Sequence, residues 1–337
     1  QDGLAGLLPA QGCSLLAGQT ALRQDVCRLA ERTGTPELPG LLVPPQQLEA
    51  KGISKMRLAM VVGDMLWWDG RYHDFPQAVF RDCELPDCGI VKKVGRLDGA
   101  PILLTALAGH TDGHHSHTDV GSVVYSIGGE NLIDDPGRAL YWKGNFRKQR
   151  YDTLFNNSFG HSVPRIAGLL QKAGPEFGGS RQFHGTILGQ GERRGGKYVE
   201  LDFARAYDLP IRQARRSLDL DPASGLLEWL DSFAFDGADL PVEEAIVSWY
   251  PITVNGAVAR IRGQRWTAEL TIAEPAGLSW TVQEFAEEAK ANQRAGVLHR
   301  LSVALPLGTN TFRMTVRPQA LTDAASQSDN NTRGVQA

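Results

Sequence analysis

Tyr198-Val199-Glu200-Leu201-Asp202-Phe203 is the stretch that decides the fold class of this chain. Val199, Leu201 and Phe203 occupy alternate positions, with Glu200 and Asp202 between them. Successive side chains of a strand point to opposite faces, so the stretch reads as a strand with one wet face. The same short period recurs on both sides of it. Residues 215–220, 225–235, 245–250, 257–261, 265–272, 278–282, 297–304 and 310–316 read as further strands. Towards the N-terminus, residues 78–81 and 89–94 flank a turn at Pro86-Asp87, and residues 101–108 form a continuous apolar strand. Residues 121–127 and 132–133 are the arms of a hairpin around Gly128-Gly129-Glu130-Asn131. Many short strands with little helix between them predict a mainly β chain. Its body is a large antiparallel β-sandwich over residues 76–320.

The chain changes character near residue 75. Before it, Leu22, Val26, Leu29 and Ala30 share one helical face, and Thr33, Gly34 and Pro36 stop that helix. A second helix is expected over residues 55–68, with Met56, Met60 and Trp67 among its apolar residues. Residues 1–75 are therefore expected to be a helical segment. Residues 321–337 are expected to be a disordered tail, because Ser, Asn, Asp and Gln dominate from Asp323 onward. The charge balance excludes an electrostatic nucleic-acid binder: 35 Lys and Arg against 38 Asp and Glu leave a net charge of -3. No apolar run approaches the roughly 18 residues that a membrane-spanning helix needs. Cys83 and Cys88 are near enough in sequence to bridge a hairpin, and free thiols are the default reading. Trp67-Trp68 at a helix end reads as packing. Arg193-Arg194 reads as a hairpin tip or an anion contact. Arg212, Arg215 and Arg216 read as a solvated basic face, with Arg212 and Arg216 on the same side of a strand.

Five of the eight histidines fall between positions 110 and 161: His110, His114, His115, His117 and His161. In Gly113-His114-His115-Ser116-His117-Thr118-Asp119, an extended backbone puts His115, His117 and Asp119 on one face. A His-x-His pair supplies two nitrogen donors to a divalent metal, and zinc needs one or two more N or O ligands. Asp135, in Asp134-Asp135-Pro136-Gly137, and His161 follow downstream. A tight hairpin at Gly128-Gly129 pairs Asp135 with residues near 122–124. The cluster therefore closes only if the 115–119 segment bends back or a bulge intervenes.

These residues carry a family resemblance. The run from His115 to Ser122, then Asp135-Pro136-Gly137, Tyr141, Arg150-Tyr151 and His161, resembles the C-terminal half of the heparinase II/III-like polysaccharide lyases. Residues 198–207, Arg216 and Leu230-Asp231-Ser232-Phe233 are similar to that family's sandwich. The resemblance covers residues 75–320 and is most specific in the histidine run. It implies an (α/α) toroid packed on the sandwich, with the active site between them. Residues 1–75 would then be the end of that toroid, and the chain a fragment of the full enzyme. The resemblance gives His115 a catalytic role. It makes His117, Asp135 and His161 the ligands of a zinc ion. It sets Tyr141, Arg150 and Tyr151 near the substrate. With His114 these complete the candidate set: the tyrosines as catalytic groups, Arg150 and His114 as substrate contacts. The implied partner is an anionic uronate polysaccharide, such as a glycosaminoglycan or alginate. The implied compartment is the periplasm or cell envelope, with the cytoplasm as the alternative.

The chemistry explains why such residues are wanted. A lyase of this kind removes the proton α to a uronate carboxylate and expels the oxygen on the β carbon. The carboxylate must be neutralised, a base must reach the proton, and an acid must meet the leaving oxygen. Elimination consumes no water, so a metal on His117, Asp135 and His161 is expected to brace the loop carrying His115 rather than activate water. Two other readings stand beside this one. A non-catalytic, metal-containing carbohydrate-binding sandwich would keep the ligands without the chemistry. A cupin-like oxygenase also begins with His-x-His, but it wants a Glu soon after, where Gly121 and Ser122 stand here.

Overall fold

The computed structural model describes residues 32, 34, 80–112, 116–174 and 181–321. The helical segment expected over residues 1–75 and the tail from 322 onward lie outside these, apart from Arg32 and Gly34. So do His114, His115, Trp67 and Trp68.

The described chain is mainly β, in three antiparallel sheets. The first has five strands in sequence order: β1 (Cys83–Leu85), β2 (Ile90–Leu97), β3 (Ala100–Leu107), β4 (Val123–Ile127) and β5 (Glu130–Ile133). The second has eight strands. In chain order these are β7 (Thr186–Arg193), β8 (Gly196–Asp202), β9 (Ile211–Leu220), β10 (Leu227–Phe235), β12 (Ile252–Asn255), β13 (Val258–Arg262), β14 (Trp266–Glu274) and β17 (Thr311–Ala320). They lie side by side as β12-β13-β14-β17-β10-β9-β8-β7. The third comprises β15 (Thr281–Phe285), β16 (Leu298–Ala304), β11 (Val242–Ser248) and β6 (Arg165–Ile166), in that spatial order. A short α-helix, α1 (Ala286–Ala291), follows β15.

The alternation in β8 does what its sequence dictates. Val199, Leu201 and Phe203 are fully buried, and Glu200 and Asp202 are not. One continuous core takes Ile102, Leu104, Val123 and Tyr125 from the five-stranded sheet, and Leu201, Leu218, Trp229 and Met314 from the eight-stranded sheet. Ile246 and Leu301 join it from the four-stranded sheet. The two smaller sheets meet where the Asp134 N–H, just past β5, donates to the Val247 carbonyl on β11 (3.0 Å). That junction is where the candidate site lies.

The β4–β5 hairpin turns on Gly128 (φ 57°) and Gly129 (φ 87°). Two consecutive positive φ values are what a two-residue hairpin loop with the right twist requires. Its register slips between Tyr125 and Ser126. Pairing with β4 ends at Ile133, and the Asp134 N–H turns instead to the Val247 carbonyl, so Asp135 is not held opposite residues 122–124.

Several local expectations are corrected. Of the strand expected at 78–81, residues 78 and 79 lie outside the described residues and Phe80 and Arg81 are not in a strand; the first described strand is Cys83–Leu85. The acidic run Glu284-Phe285-Ala286-Glu287-Glu288 turns helical only at Ala286, because Glu284 and Phe285 are still paired with His299 and Leu298. Cys83 and Cys88 are free and exposed. Arg216 is not on a solvated face: it is completely buried. Nor does it share its side with Arg212, because β9 carries a bulge at Ile211–Gln213 opposite Ala234 and Phe235 that shifts the alternation. No helix among the described residues is long and apolar enough to cross a membrane.

Candidate metal centre

Three loops converge beside the junction of β5 and β11. The first runs from Ser116 to Ser122 between β3 and β4. The Ser116 hydroxyl donates to the Thr111 carbonyl (2.8 Å), and the Thr118 N–H donates to the Asn156 carbonyl (3.1 Å). The Gln171 side chain brackets Val120, accepting from its N–H (2.9 Å) and donating to its carbonyl (2.6 Å). A turn then closes, with the Ser122 N–H donating to the Asp119 carbonyl (2.9 Å). Gly121 sits in that turn at φ 95°, and a Cβ there would come 3.2 Å from the Phe203 ring. The positive φ favours glycine, and a Cβ would also need the Phe203 ring to shift by a few tenths of an ångström.

The second loop is Asp134-Asp135-Pro136-Gly137. Asp134 Oδ1 accepts from the Asp135 N–H (2.8 Å) and from Asn131 Nδ2 (2.9 Å). Asp135 Oδ1 accepts from the Gly137 N–H (2.7 Å), which leaves Oδ2 facing inward. The third loop follows the 3-10 turn Ser158–Gly160, capped by Asn157, whose side-chain oxygen accepts from the Phe159 N–H (3.0 Å). His161 comes directly after it and has no exposed surface.

His117, Asp119, Asp135 and His161 meet there, with one ligand atom from each within 4.8 Å of all the others. His117 Nδ1 lies 3.3 Å from His161 Nε2, and Asp135 Oδ2 lies 3.5 Å from the same nitrogen. His161 Nδ1 lies 2.8 Å from the Asn157 carbonyl, which can only accept, so Nδ1 carries the proton. The lone pair of Nε2 is thereby aimed into the cluster. Two nitrogens bound tetrahedrally to one zinc at about 2.0–2.1 Å lie about 3.3–3.4 Å apart, so these spacings suit a shared ion. The charges suit one too. Two carboxylates in a site this buried cost several kcal/mol in desolvation unless a cation answers them.

Burial first, and then the electrostatic penalty of a second positive imidazole beside His161, pushes the His117 imidazole down to about 3. His117 is thus neutral at ordinary pH, the form that binds metal. Arg150 also contributes to that lowering, and Asp135 opposes it. Burial pushes Asp119 up to about 6, and Asp134 to about 7.

Of the other candidates, His114 and His115 lie outside the described residues, Arg150 and Tyr151 adjoin the loops of the cluster, and Tyr141 lies on the surface. Arg150 is buried with its guanidinium over the Tyr151 ring (5.8 Å). The Arg150 and Tyr151 carbonyls accept from the side chains of Asn156 (2.9 Å) and Asn157 (3.0 Å). Those are the asparagines that hold Thr118 and His161. Tyr141 is on the surface with Arg138 against its ring (5.1 Å), next to exposed Trp142. Asp119 belongs with the ligand cluster although the expected metal set omits it. Its period-two relation to His117 was the available signal. Asn156, Asn157 and Gln171 escaped notice because an isolated amide carries no motif.

No protein-family model matches the chain, and no curated protein does. Solved structures do. The heparan sulfate lyase HepC from Pedobacter heparinus matches 90% of this chain with a TM-score of 0.60 at 11% identity. The BT4657 gene product, a heparinase III, matches 90% with a TM-score of 0.59 at 12% identity. Another heparinase III matches 75% with a TM-score of 0.55 at 10% identity. The likeness is one of fold: this chain has a distant structural relationship to heparinase III. It spans about 42% of the length of HepC and of the BT4657 product.

Proposed function

We propose that this chain is the sandwich portion of a polysaccharide lyase that cleaves a uronate-containing glycan by β-elimination. We further propose that His117, Asp135 and His161 hold a divalent metal, zinc by preference, with Asp119 as the fourth ligand. The observation that carries the reading is the convergence of these four side chains on loops at one end of a sandwich whose fold is that of heparan sulfate lyases. Two imidazoles with two carboxylates are a donor set that zinc accepts.

When bound, the ion supplies electrostatic bracing, tying the loop that carries His115 to the loops of Asp135 and His161. The chain's own residues do the rest. His115, two residues before His117, is the candidate base that takes the proton α to the uronate carboxylate. The C–H electron pair forms the new double bond as the bond from the β carbon to oxygen breaks. The departing oxygen then takes a proton from an acid, for which Tyr141 and Tyr151 are the candidates in this chain. Arg150 and His114 are the candidate contacts for the substrate carboxylate. Exposed Tyr141 and Trp142 offer flat apolar faces on which sugar rings stack.

The test is incubation of the zinc-loaded chain with heparan sulfate, alginate and other uronate polymers, followed by ultraviolet absorbance of the unsaturated product. Release that is lost in His115→Ala supports the reading. Glycan binding without product fits both a lyase portion that lacks the toroid side of its active site and a non-catalytic sandwich; the same assay on a longer chain that includes the helical domain, with and without His115→Ala, separates the two. Neither binding nor product removes the glycan assignment.

A further inference from the structure

We propose that Arg216, which is no ligand, is the positioning residue of the metal centre: a buried guanidinium that sets the spacing of two of its three loops. The inference rests on the metal reading above and adds a residue to it. Arg216 lies on β9 with no exposed surface, between the Trp229 ring (4.2 Å) and the Phe203 ring (5.3 Å). Its Nε and one terminal nitrogen donate to Asp231, its cross-strand partner on β10, at 2.9 and 2.6 Å. Trp229 Nε1 fixes the same carboxylate from behind (3.0 Å). The other terminal nitrogen donates to two backbone carbonyls at once, that of Gly121 (2.5 Å) and that of Ser162 (2.8 Å).

Those two carbonyls place the inference. Gly121 lies two residues after Asp119, in the turn closed by the Asp119 carbonyl, and Ser162 directly follows His161. One nitrogen therefore bridges the backbone beside two members of the cluster that come from different loops. A buried ion pair is poor evidence for stability, since well-packed apolar residues serve as well or better. What apolar residues cannot do is hold two loop carbonyls at a fixed separation. The planar fork does this while locked to a carboxylate of the eight-stranded sheet. The Ser162 hydroxyl also accepts from the Val247 N–H (3.1 Å), on the strand that receives the Asp134 N–H. All three ligand loops thus report to one frame, and Arg216 is its charged joint.

The experiment compares zinc affinity with stability in the purified chain. Zinc binding is read by competition with a chromophoric chelator, ligand geometry by the visible spectrum of the cobalt-substituted protein, and stability by the urea midpoint. Arg216→Lys keeps the charge but cannot serve Asp231 and both carbonyls together. The double variant Arg216→Met with Asp231→Leu removes the ion pair as a unit, so it keeps a route to folding if the lysine variant does not fold. Both are expected to bind zinc about 10- to 100-fold more weakly and to alter the cobalt spectrum, the range for groups that orient ligands. A core control, Leu270→Ala, should lower the urea midpoint yet leave zinc affinity within about twofold, as expected of a residue without contact to ligands. Wild-type zinc binding with unchanged affinity and cobalt spectrum in the folded variants would overturn the role of Arg216 alone. A wild type that takes up neither zinc nor cobalt would overturn the metal reading, and this inference with it.

Discussion

Glu244 shows how tightly single residues are constrained here. It is buried beside the Arg216–Asp231 pair, 3.5 Å from a guanidinium already committed to Asp231. Burial first, and then the Asp231 charge, raises its carboxyl well above the ordinary value of 4.5. The sign follows from linkage. A carboxyl with a raised folded-state value contributes stability that is fully present below about 4.5. That contribution is lost as pH rises through the folded value. Glu244→Gln should therefore flatten the pH dependence of the metal-free protein, raising the urea midpoint at pH 8 and leaving it nearly unchanged at pH 4.5. Equal losses at both pH values would show that Glu244 acts as a charged partner of Arg216 instead. A second residue-scale expectation concerns His117. Removing a donor should cost more than disturbing a group behind one, so His117→Ala should weaken zinc binding by at least about 100-fold. An equilibrium zinc titration checks it.

The elements are strands with one buried face and loops held by few, specific bonds. Leu201 on β8 is completely buried, and Leu201→Ala should cost about 2–5 kcal/mol in urea unfolding. Gly121 is the corresponding loop position. Gly121→Ala forces a Cβ to within 3.2 Å of Phe203 at a φ of 95°, and should cost about 1–3 kcal/mol. The same substitution should weaken zinc binding, since it disturbs the turn that carries Asp119. What the sequence made legible divides along this line. Val199, Leu201 and Phe203 announced β8 because a one-sided strand has a period that short-range reading detects. Strand β7 was missed. Gly189 and Gly191 interrupt its pattern, and no residue of it is fully buried, so there is no apolar alternation to see. Strand β6 has only two residues and exists through its pairing with β11. Arg216 was read as solvated because its partners, Asp231, Gly121 and Ser162, are 15 to 95 residues away in sequence. Local charge patterns carry no trace of such distant pairs. The candidate ligands were legible for the opposite reason, since histidine and aspartate at short spacings are informative without a known fold. Asp119 was legible only as a neighbour of His117 on an extended face.

For the whole molecule, the sheets are the frame and the junction of β5 with β11 is where loops from distant parts of the sequence are brought together. Metal binding at such a place couples to global stability. An ion that binds only the folded state at 100 times its dissociation constant adds about 2.7 kcal/mol. Chelation should accordingly lower the thermal midpoint of the wild type but not that of His161→Ala. On the reading proposed above, His117, Asp119, Asp135 and His161 form one metal centre. Its most direct test is the metal content of the purified chain after equilibration with zinc and removal of the excess. We expect one zinc per wild-type chain, and none in the double variant His117→Ala with His161→Ala with its fold intact by circular dichroism. Wild-type protein that emerges without zinc, or a double variant that retains it in full, would contradict the account.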